Sequence, residues 1–295
     1  LGIELMRNVP GQTAAEHLGA AAWVGQEANE ARYLWPWMFS RVEEEYEKRH
    51  GIDRAHLRAI SENNFANGKR NPNAQTRGWA ITDEHLGEND EVNPRIEGRL
   101  RKSDCGQVTD GAAAIFLASR AYAEKWAKRR GIALESVPRI KGWGHTTAPL
   151  MYQRKINDSK GQPYVFPFVR KAMMDALGRA GLADVYACDG VEVHDCFSIT
   201  EYMAIDHFGI TPPGESWRAI EDGTIALGGK VPVNASGGLI GTGHPVGATG
   251  VRMMLDSWRQ VTGNAGDYQI DGARNIATFN VGGSATTACS FVVGF

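Results

Sequence analysis

Apolar positions follow helical spacing in several stretches of this chain. Small and apolar side chains recur over residues 13–33, and a charged helix is predicted from Arg41 to His50 with Gly51 as its C-cap. Two clearer stripes consist of Val169, Ala172, Met173, Ala176, Leu177 and Ala180, closed by Gly181, and of Val251, Met254, Leu255, Trp258 and Val261, closed by Gly263. These stripes predict amphipathic helices that pack on a core.

Strands are predicted between these helices. Short apolar runs over residues 111–117, 191–193, 275–281 and 285–293 suit buried strands, and Gly282-Gly283 joins the last two. Ser119 suits the N-cap of a following helix. Residues 63–100 are rich in Asn, Gly, Arg and Glu with little periodicity, which predicts a long irregular excursion. Strands that alternate with helices predict a layered α/β fold.

Composition excludes several classes of function. The 295 residues are 42% hydrophobic and 22% charged with a net charge of −2, which is typical of a globular protein and gives no basic footprint for nucleic acid. No apolar run reaches membrane-spanning length. Four scattered cysteines without CxxC spacing, and no secretory signature, predict reduced thiols in a cytoplasmic protein.

The segment His194-Asp195-Cys196-Phe197 places two groups capable of proton transfer before a predicted helix. Ser198 and Glu201 match a capping box, so Cys196 would lie near a helix start whose dipole lowers the thiol pKa. His194 and Cys196 point the same way on an extended backbone. We hypothesise an acid/base pair. The alternatives are a buried thiol with an internally bonded histidine, or a metal site with Cys188, whose spacing matches no standard zinc site.

A second candidate loop is rich in glycine. Six glycines fall between residues 237 and 250, with His244 at the centre and a predicted amphipathic helix beyond. Val246 stands where a dinucleotide fingerprint needs glycine, and the Gly-Lys-Ser/Thr of a phosphate loop is absent. Two interpretations remain: the backbone approaches a ligand closely, or two helices pack tightly and His244 is incidental.

Together these segments resemble one enzyme family. Asn234–Gly250 resembles the Gly-His-Pro signature of thiolases, and Val191–Ser198 resembles the His-Asp-Cys-Phe loop of the sterol-carrier-protein-2-type (SCP2-type) thiolases. Asp104–Ala114 is similar to the last strand of that subfamily's N-terminal half. The resemblance implies a layered α/β thiolase fold of two similar five-stranded halves.

The resemblance also implies a division of the chain. Residues 1–8 and 101–119 would belong to an incomplete N-terminal half, residues 9–100 to an inserted loop domain, and residues 120–295 to the C-terminal half. The family's nucleophilic cysteine would lie upstream of Leu1, and none of the four cysteines occupies its motif. We expect a fragment of a longer chain; a separate polypeptide carrying the cysteine, or a non-thiolytic relative, are the alternatives.

The implied chemistry is acyl transfer between coenzyme A (CoA) thioesters. It is retro-Claisen thiolysis of a 3-oxoacyl-CoA, as in acyl-CoA degradation, or the reverse condensation. By position, His244 matches the histidine that activates the nucleophile, Cys196 the acid/base cysteine, and His194 a contributor to the oxyanion site. The substrate- or CoA-binding positions implied are Asn234, Ser236, Gly237, Gly238, Gly243 and Gly282.

Partners follow from the same resemblance. It implies acyl-CoA and CoA as substrates, no tightly bound cofactor, no metal ion and a homodimer, with no nucleic-acid or membrane partner. Small zinc-binding OB-fold companion subunits accompany some relatives. Two other functions stay open: a thiolase-like carbon–carbon lyase that cleaves aldols on an acyl-CoA, and a non-catalytic thiolase-like subunit.

Overall fold

A computed structural model describes all 295 residues as ten α-helices and eight strands. The helices are α1 (Gly11–Gly19), α2 (Leu34–His50), α3 (Arg54–Arg70), α4 (Asp83–Leu86), α5 (Arg120–Arg130), α6 (Tyr152–Asp158), α7 (Pro167–Arg179), α8 (Ser198–Phe208), α9 (Ser216–Glu221) and α10 (Val246–Val261). The strands are β1 (Gly2–Glu4), β2 (Arg95–Glu97), β3 (Leu100–Arg101), β4 (Gly111–Ala113), β5 (Arg139–Thr147), β6 (Gly190–Val193), β7 (Asn275–Gly282) and β8 (Thr287–Gly294). The predicted α/β class is confirmed.

The main sheet has the strand order β5-β8-β7-β6, in which β6 and β7 are parallel and the other pairs antiparallel. Beside β6 the chain forms only a single bridge, between Val191 and Val233. Pro232 has no N–H to continue the ladder. The predicted five-stranded half therefore has four strands and this bridge.

Helix α7 covers β5 and β8 at very short range. A Cβ atom added at Gly142 or Gly144 would lie 2.0 Å from the Ala176 carbonyl oxygen or 1.8 Å from that of Ala172. Only glycine lets the helix approach the strand so closely. These glycines weaken the strand pattern of β5, which the sequence analysis did not predict.

Helix α10 forms the middle layer, with β7 and β8 on one side and the β1–β4 ribbon on the other. Strand β1 pairs antiparallel with β4, so that Gly2 faces Ala113 across the ribbon. On the ribbon, Leu1, Ile3 and Leu5 are exposed. The ribbon thus buries one face on α10 and leaves large apolar side chains open to solvent.

Helix α8 lies in the core, and all eleven of its residues are buried. Helices α2 and α3 pack against it. Helix α3 begins where the Asp53 side chain accepts a hydrogen bond from the Ala55 N–H at 2.8 Å. The predicted irregular excursion over residues 63–100 is therefore wrong for its first turns, since α3 continues to Arg70.

Other boundaries differ in smaller ways. The helix predicted over residues 13–33 ends at Gly19, and turns follow. Gly51 ends α2 with a φ of +71°, as its C-cap assignment predicts. Ser119 accepts a hydrogen bond from the Tyr122 N–H at the start of α5, also as predicted. None of the helices has the length and apolar character needed to cross a bilayer.

Candidate active site

Two candidate segments meet at one edge of the main sheet. Because β6 and β7 are parallel and Val193 pairs with Phe279, His194 follows the end of β6 beside Asn280, which continues β7 and pairs with Cys289 of β8. The Asn280 side-chain N–H groups lie 3.4 Å from His194 Nδ1 and 3.1 Å from Met253 Sδ on α10. The strand ends therefore bring the histidine loop against α10.

Residues 105–109 join the two candidate loops. The Gly106 N–H donates to the carbonyl of Cys196 at 2.8 Å. The His244 N–H donates to the Gln107 carbonyl at 2.8 Å, and the Thr109 N–H donates to the His244 carbonyl at 3.2 Å. Backbone hydrogen bonds thus fix His244 and Cys196 to one segment, which sequence reasoning singled out only by its resemblance.

Asp195 supplies a second connection, and its side chain is fully buried. Its carboxylate accepts from the N–H groups of Leu239 at 2.6 Å and Ile240 at 3.0 Å, and from the Asn64 amide at 2.9 Å. Burial raises the pKa of Asp195 to about 6, against the backbone hydrogen bonds that lower it, so it is ionised above that pH.

Asn64 on α3 also donates to Glu201 Oε2 at 2.6 Å, as does Asn234. Burial, followed by the neighbouring Asp195 charge, raises the pKa of Glu201 well above its usual value. A neutral Glu201 beside an ionised Asp195 avoids two adjacent buried charges. The capping box predicted for Ser198 and Glu201 is wrong: Phe197 is the N-cap, and the Ser198 hydroxyl donates to Asp104 at 2.7 Å.

Three of the six glycines of the second loop are explained by close packing. A Cβ atom at Gly237 would lie 2.7 Å from Gly68 Cα, and one at Gly238 would lie 2.5 Å from the Asp195 carboxylate oxygens. One at Gly241 would lie 1.9 Å from the Asn64 carbonyl oxygen. Tight packing, one of the two interpretations, therefore accounts for these three positions.

Two predicted ligand-binding side chains face inward instead. Asn234, with a φ of +52°, and Ser236 are fully buried. The Asn234 carbonyl of the side chain accepts from the Val193 N–H at 2.8 Å, and the Ser236 hydroxyl donates to Glu192 Oε2 at 2.5 Å. Their side chains hold the loop in place. Substrate or CoA binding at the six positions stays a prediction: Asn234, Ser236, Gly237, Gly238, Gly243 and Gly282.

His244 is held in one tautomer by α10. The Thr249 hydroxyl donates its single hydrogen to the Pro245 carbonyl at 2.9 Å, so it accepts from His244 Nδ1–H at 2.8 Å. This assignment leaves the lone pair of His244 on Nε2. Burial lowers the pKa of His244 well below its usual value, and the positive charge of Arg252 acts in the same direction. His244 is therefore a neutral base.

His194 takes the opposite tautomer. Its Nδ1 accepts the hydrogen bond from Asn280, which leaves the hydrogen on Nε2. Burial, and then Arg252, lowers the pKa of His194 to about 3. The rings of His194 and His244 stand edge to face with their centroids 5.1 Å apart. The structure thus pairs one neutral donor imidazole with one neutral acceptor imidazole.

Cys196 differs electrostatically from the prediction. Its Sγ lies 3.6 Å from the Thr200 hydroxyl, on the first turns of α8. Burial nevertheless raises the pKa of Cys196 to about 12, so the prediction of a lowered pKa is wrong. A thiol that keeps its proton at neutral pH is suited to donate that proton. Cys188 precedes β6 whereas His194 follows it, which separates the members of the metal alternative.

Comparison with known proteins gives the family. A model described as "Thiolase C-terminal domain-like" matches residues 153–294. An acetyl-CoA acetyltransferase of Methanothermobacter thermautotrophicus is 31% identical over 290 residues, which cover 97% of this chain and 70% of that protein. The chain belongs to the thiolase family.

Two other relatives extend well beyond the region that aligns with this chain. Human sterol carrier protein 2 is 29% identical over 88% of this chain and 45% of its own length, so the chain spans less than half of it. The benzoylsuccinyl-CoA thiolase subunit BbsB of Thauera aromatica is 28% identical over 79% of the chain and 56% of its own length. A solved structure titled "Ltp2-ChsH2(DUF35) aldolase" shares the fold, with a TM-score of 0.68 at 18% identity over 97% of this chain and 69% of that one.

Proposed function

We propose that this protein takes part in CoA-dependent acyl transfer of the thiolase type, cleaving a 3-oxoacyl-CoA or running the reverse condensation. The complementary pair of neutral histidines carries the proposal. His244 Nε2 has the lone pair that accepts a proton from a thiol, and His194 Nε2–H offers a hydrogen bond to the oxygen of a thioester. Both functions are needed when a thioester exchanges its acyl group.

Cys196 would supply the second proton transfer. Thiolysis releases an acyl-CoA whose α-carbon must gain a proton, and the condensation removes one. A half-buried thiol with a pKa of about 12 keeps its proton until a carbanion or enolate forms beside it. This chemistry fits an acid/base group better than a nucleophile, because the nucleophile must be a thiolate.

The acyl acceptor would be a cysteine outside residues 1–295. Burial raises the pKa of all four cysteines present, to about 12 for Cys188 and Cys196 and in the same direction for Cys105 and Cys289. None is therefore activated as a thiolate. The family resemblance supports a nucleophile upstream of Leu1, and His244 Nε2 is the base that would activate it.

The remaining parts of the proposal rest on the relatives. We include a small companion subunit, because one relative is named as a thiolase subunit and the fold neighbour is titled together with ChsH2(DUF35). A homodimer in the cytoplasm is included on the family resemblance alone. Light scattering of the purified whole protein, with copurifying chains identified by mass spectrometry, tests both. A monomer with no companion contradicts this part alone.

Cys196→Ser in the whole protein tests the acid/base assignment. With acetoacetyl-CoA and free CoA as substrates, thiolysis is expected to fall about 100-fold or more while the circular dichroism spectrum is retained. Cys188→Ala, at the opposite end of β6, is the matched control and is expected to keep wild-type thiolysis. Unchanged thiolysis in Cys196→Ser contradicts the assignment. Cleavage without free CoA would identify a carbon–carbon lyase instead.

A further inference from the structure

Arg252 is a nearly buried cation beneath the glycine-rich loop. Its side chain is 12% exposed and projects from the second turn of α10, one turn beyond the Thr249 that holds His244. Nη1 donates to the Ser236 hydroxyl at 3.1 Å, and Nη2 donates to the Gly238 carbonyl at 3.4 Å. The guanidinium therefore binds the glycine-rich loop from below.

We propose that Arg252 is a positioning residue of this site: it fixes the glycine-rich loop to α10 and places a permanent positive charge near His194 and His244 that opposes their protonation. Arginine suits this role because its guanidinium stays charged when buried and donates in several directions. The proposed chemistry needs both imidazoles neutral, one as a base and one as a hydrogen-bond donor. The inference depends on the proposed function only for its kinetic readout.

The carboxyl groups around Arg252 determine how strongly its positive charge acts on the two histidines. Asp256, one turn along α10, accepts from Nη1 at 2.8 Å and is shared with Arg259 at 3.3 Å. Glu192 on β6 contacts the other side of Ser236, and burial raises its pKa to about 7. Because Glu192 is partly protonated near pH 7, it neutralises the positive charge of Arg252 only in part, and the remaining charge acts on the two histidines.

The other acidic groups near the two imidazoles form their hydrogen bonds with other partners. Asp195 accepts hydrogen bonds from the loop N–H groups, and burial raises the pKa of Glu201 on α8 well above its usual value. Glu4 on β1 accepts from the Gly247 N–H at the start of α10 at 3.1 Å. Arg252 is a permanent cation that lowers the pKa of both histidines, and His194 in addition lowers the pKa of His244.

The test compares Arg252→Gln with Arg252→Lys in the whole protein. Glutamine keeps an amide donor for the Ser236 hydroxyl but removes the charge, whereas lysine keeps the charge. Nitrogen-15 NMR of labelled histidine, assigned with His194→Gln and His244→Gln, follows protonation down to the lowest pH at which each variant keeps its native circular dichroism. We expect protonation of His194 to begin at a higher pH in Arg252→Gln than in Arg252→Lys or the wild type.

Equal titration in all three proteins overturns the inference. If Arg252→Gln does not fold, Arg252→Gln/Asp256→Asn removes both members of the ion pair, so that Asp256 is not left as a buried carboxylate without Arg252. In this double variant, protonation of His194 is expected to begin at a higher pH than in Asp256→Asn alone. If His194 titrates equally in these two variants, the inference is also overturned.

The kinetic readout separates the inference from the proposed function. In Arg252→Gln the acid limb of the pH profile of thiolysis kcat/KM is expected to move to higher pH, and Arg252→Lys is expected to restore it. If the wild-type protein shows no thiolysis, the proposed function is contradicted. If the Arg252 variants of that protein still differ in the pH at which His194 is protonated, the role of Arg252 is supported all the same.

Discussion

Gly241→Ala tests whether α3 assembles the site by close packing. The new Cβ atom would lie 1.9 Å from the Asn64 carbonyl oxygen, where approaches under about 3.0 Å do not occur, so α3 and the loop must separate by about 1.1 Å. Both atoms at this contact belong to the backbone or are fixed to it. No change of rotamer can therefore relieve the clash.

The expected cost has two parts. Overpacking alone costs roughly 1–3 kcal/mol. Separation also weakens the hydrogen bonds that Asn67, Asn71 and Thr76 donate to backbone carbonyls of the loop, each worth roughly 0.5–1.5 kcal/mol net. We expect the free energy of unfolding to fall by about 2–6 kcal/mol. Because His244 lies three residues on, a displacement near 1 Å is expected to lower thiolysis kcat/KM about 100-fold.

Urea unfolding followed by circular dichroism, and thiolysis of acetoacetyl-CoA, measure the two effects. Gly178→Ala is the matched control: Gly178 lies exposed in α7 with no atom within 4 Å of an added Cβ. Its stability is expected to rise by about 0.5–1 kcal/mol without a change in activity. Gly241→Ala with wild-type stability and kcat/KM would refute the packing argument.

Two further predictions concern single side chains. Thr249→Val removes the acceptor of His244 Nδ1–H, so thiolysis kcat/KM is expected to fall about 10- to 100-fold. Thr262→Val, at the half-buried C-cap that follows α10, is expected to leave thiolysis unchanged. Equal kcat/KM values for the two variants would contradict the tautomer assignment. Lys155 is 1% exposed, and burial lowers its pKa to about 8. The unfolded chain then binds more protons between pH 8 and 10.5, so stability relative to Lys155→Met should rise with pH there, by up to about 3 kcal/mol in urea titrations. A difference in the free energy of unfolding between the wild type and Lys155→Met that does not change with pH would contradict the effect of burial on Lys155.

The parts of the fold predicted from sequence are those in which local pattern and tertiary role agree. The end of β6 at Val193 and the β7–β8 hairpin face apolar core, so their pattern identifies them. The apolar stripe of α10 identifies the helix by its period, but Val251, Met254 and Leu255 are only half-buried and Trp258 is exposed, so the expectation that this stripe packs on a core is wrong for most of its length. The two histidine-bearing segments were also found, because their residues resemble family motifs.

Helix α3 was difficult to predict because polar side chains occupy about half of its inner face, among the apolar Leu57, Ile60 and Phe65. Ser61, Asn64, Asn67 and Asn71 are buried and bond to distant segments, among them Asp195 and the carbonyls of the glycine-rich loop. A polar residue carries no sign of burial in the sequence, since its partners are supplied only by the fold. The glycines that face α3 are likewise explained by a contact that only the fold creates. In the sequence alone they resembled a ligand-binding loop.

The Cys196 pKa shows a related limit. A helix start favours a thiolate, but the sequence does not reveal how deeply the thiol lies, and here burial is the larger effect. Likewise the tautomers of His194 and His244 depend on Asn280 and Thr249, whose contacts require the parallel pairing of β6 with β7 and the start of α10.

Locating the acyl group after reaction tests the central claim most directly. The whole protein would be incubated with acetyl-CoA, quenched in acid and digested, and the acylated peptide identified by mass spectrometry. The account predicts an acetyl thioester on a cysteine other than Cys105, Cys188, Cys196 and Cys289, formed in the wild type and lost in His244→Gln. An acetyl group on Cys196, or no acyl-enzyme together with cleavage that needs no free CoA, would contradict it.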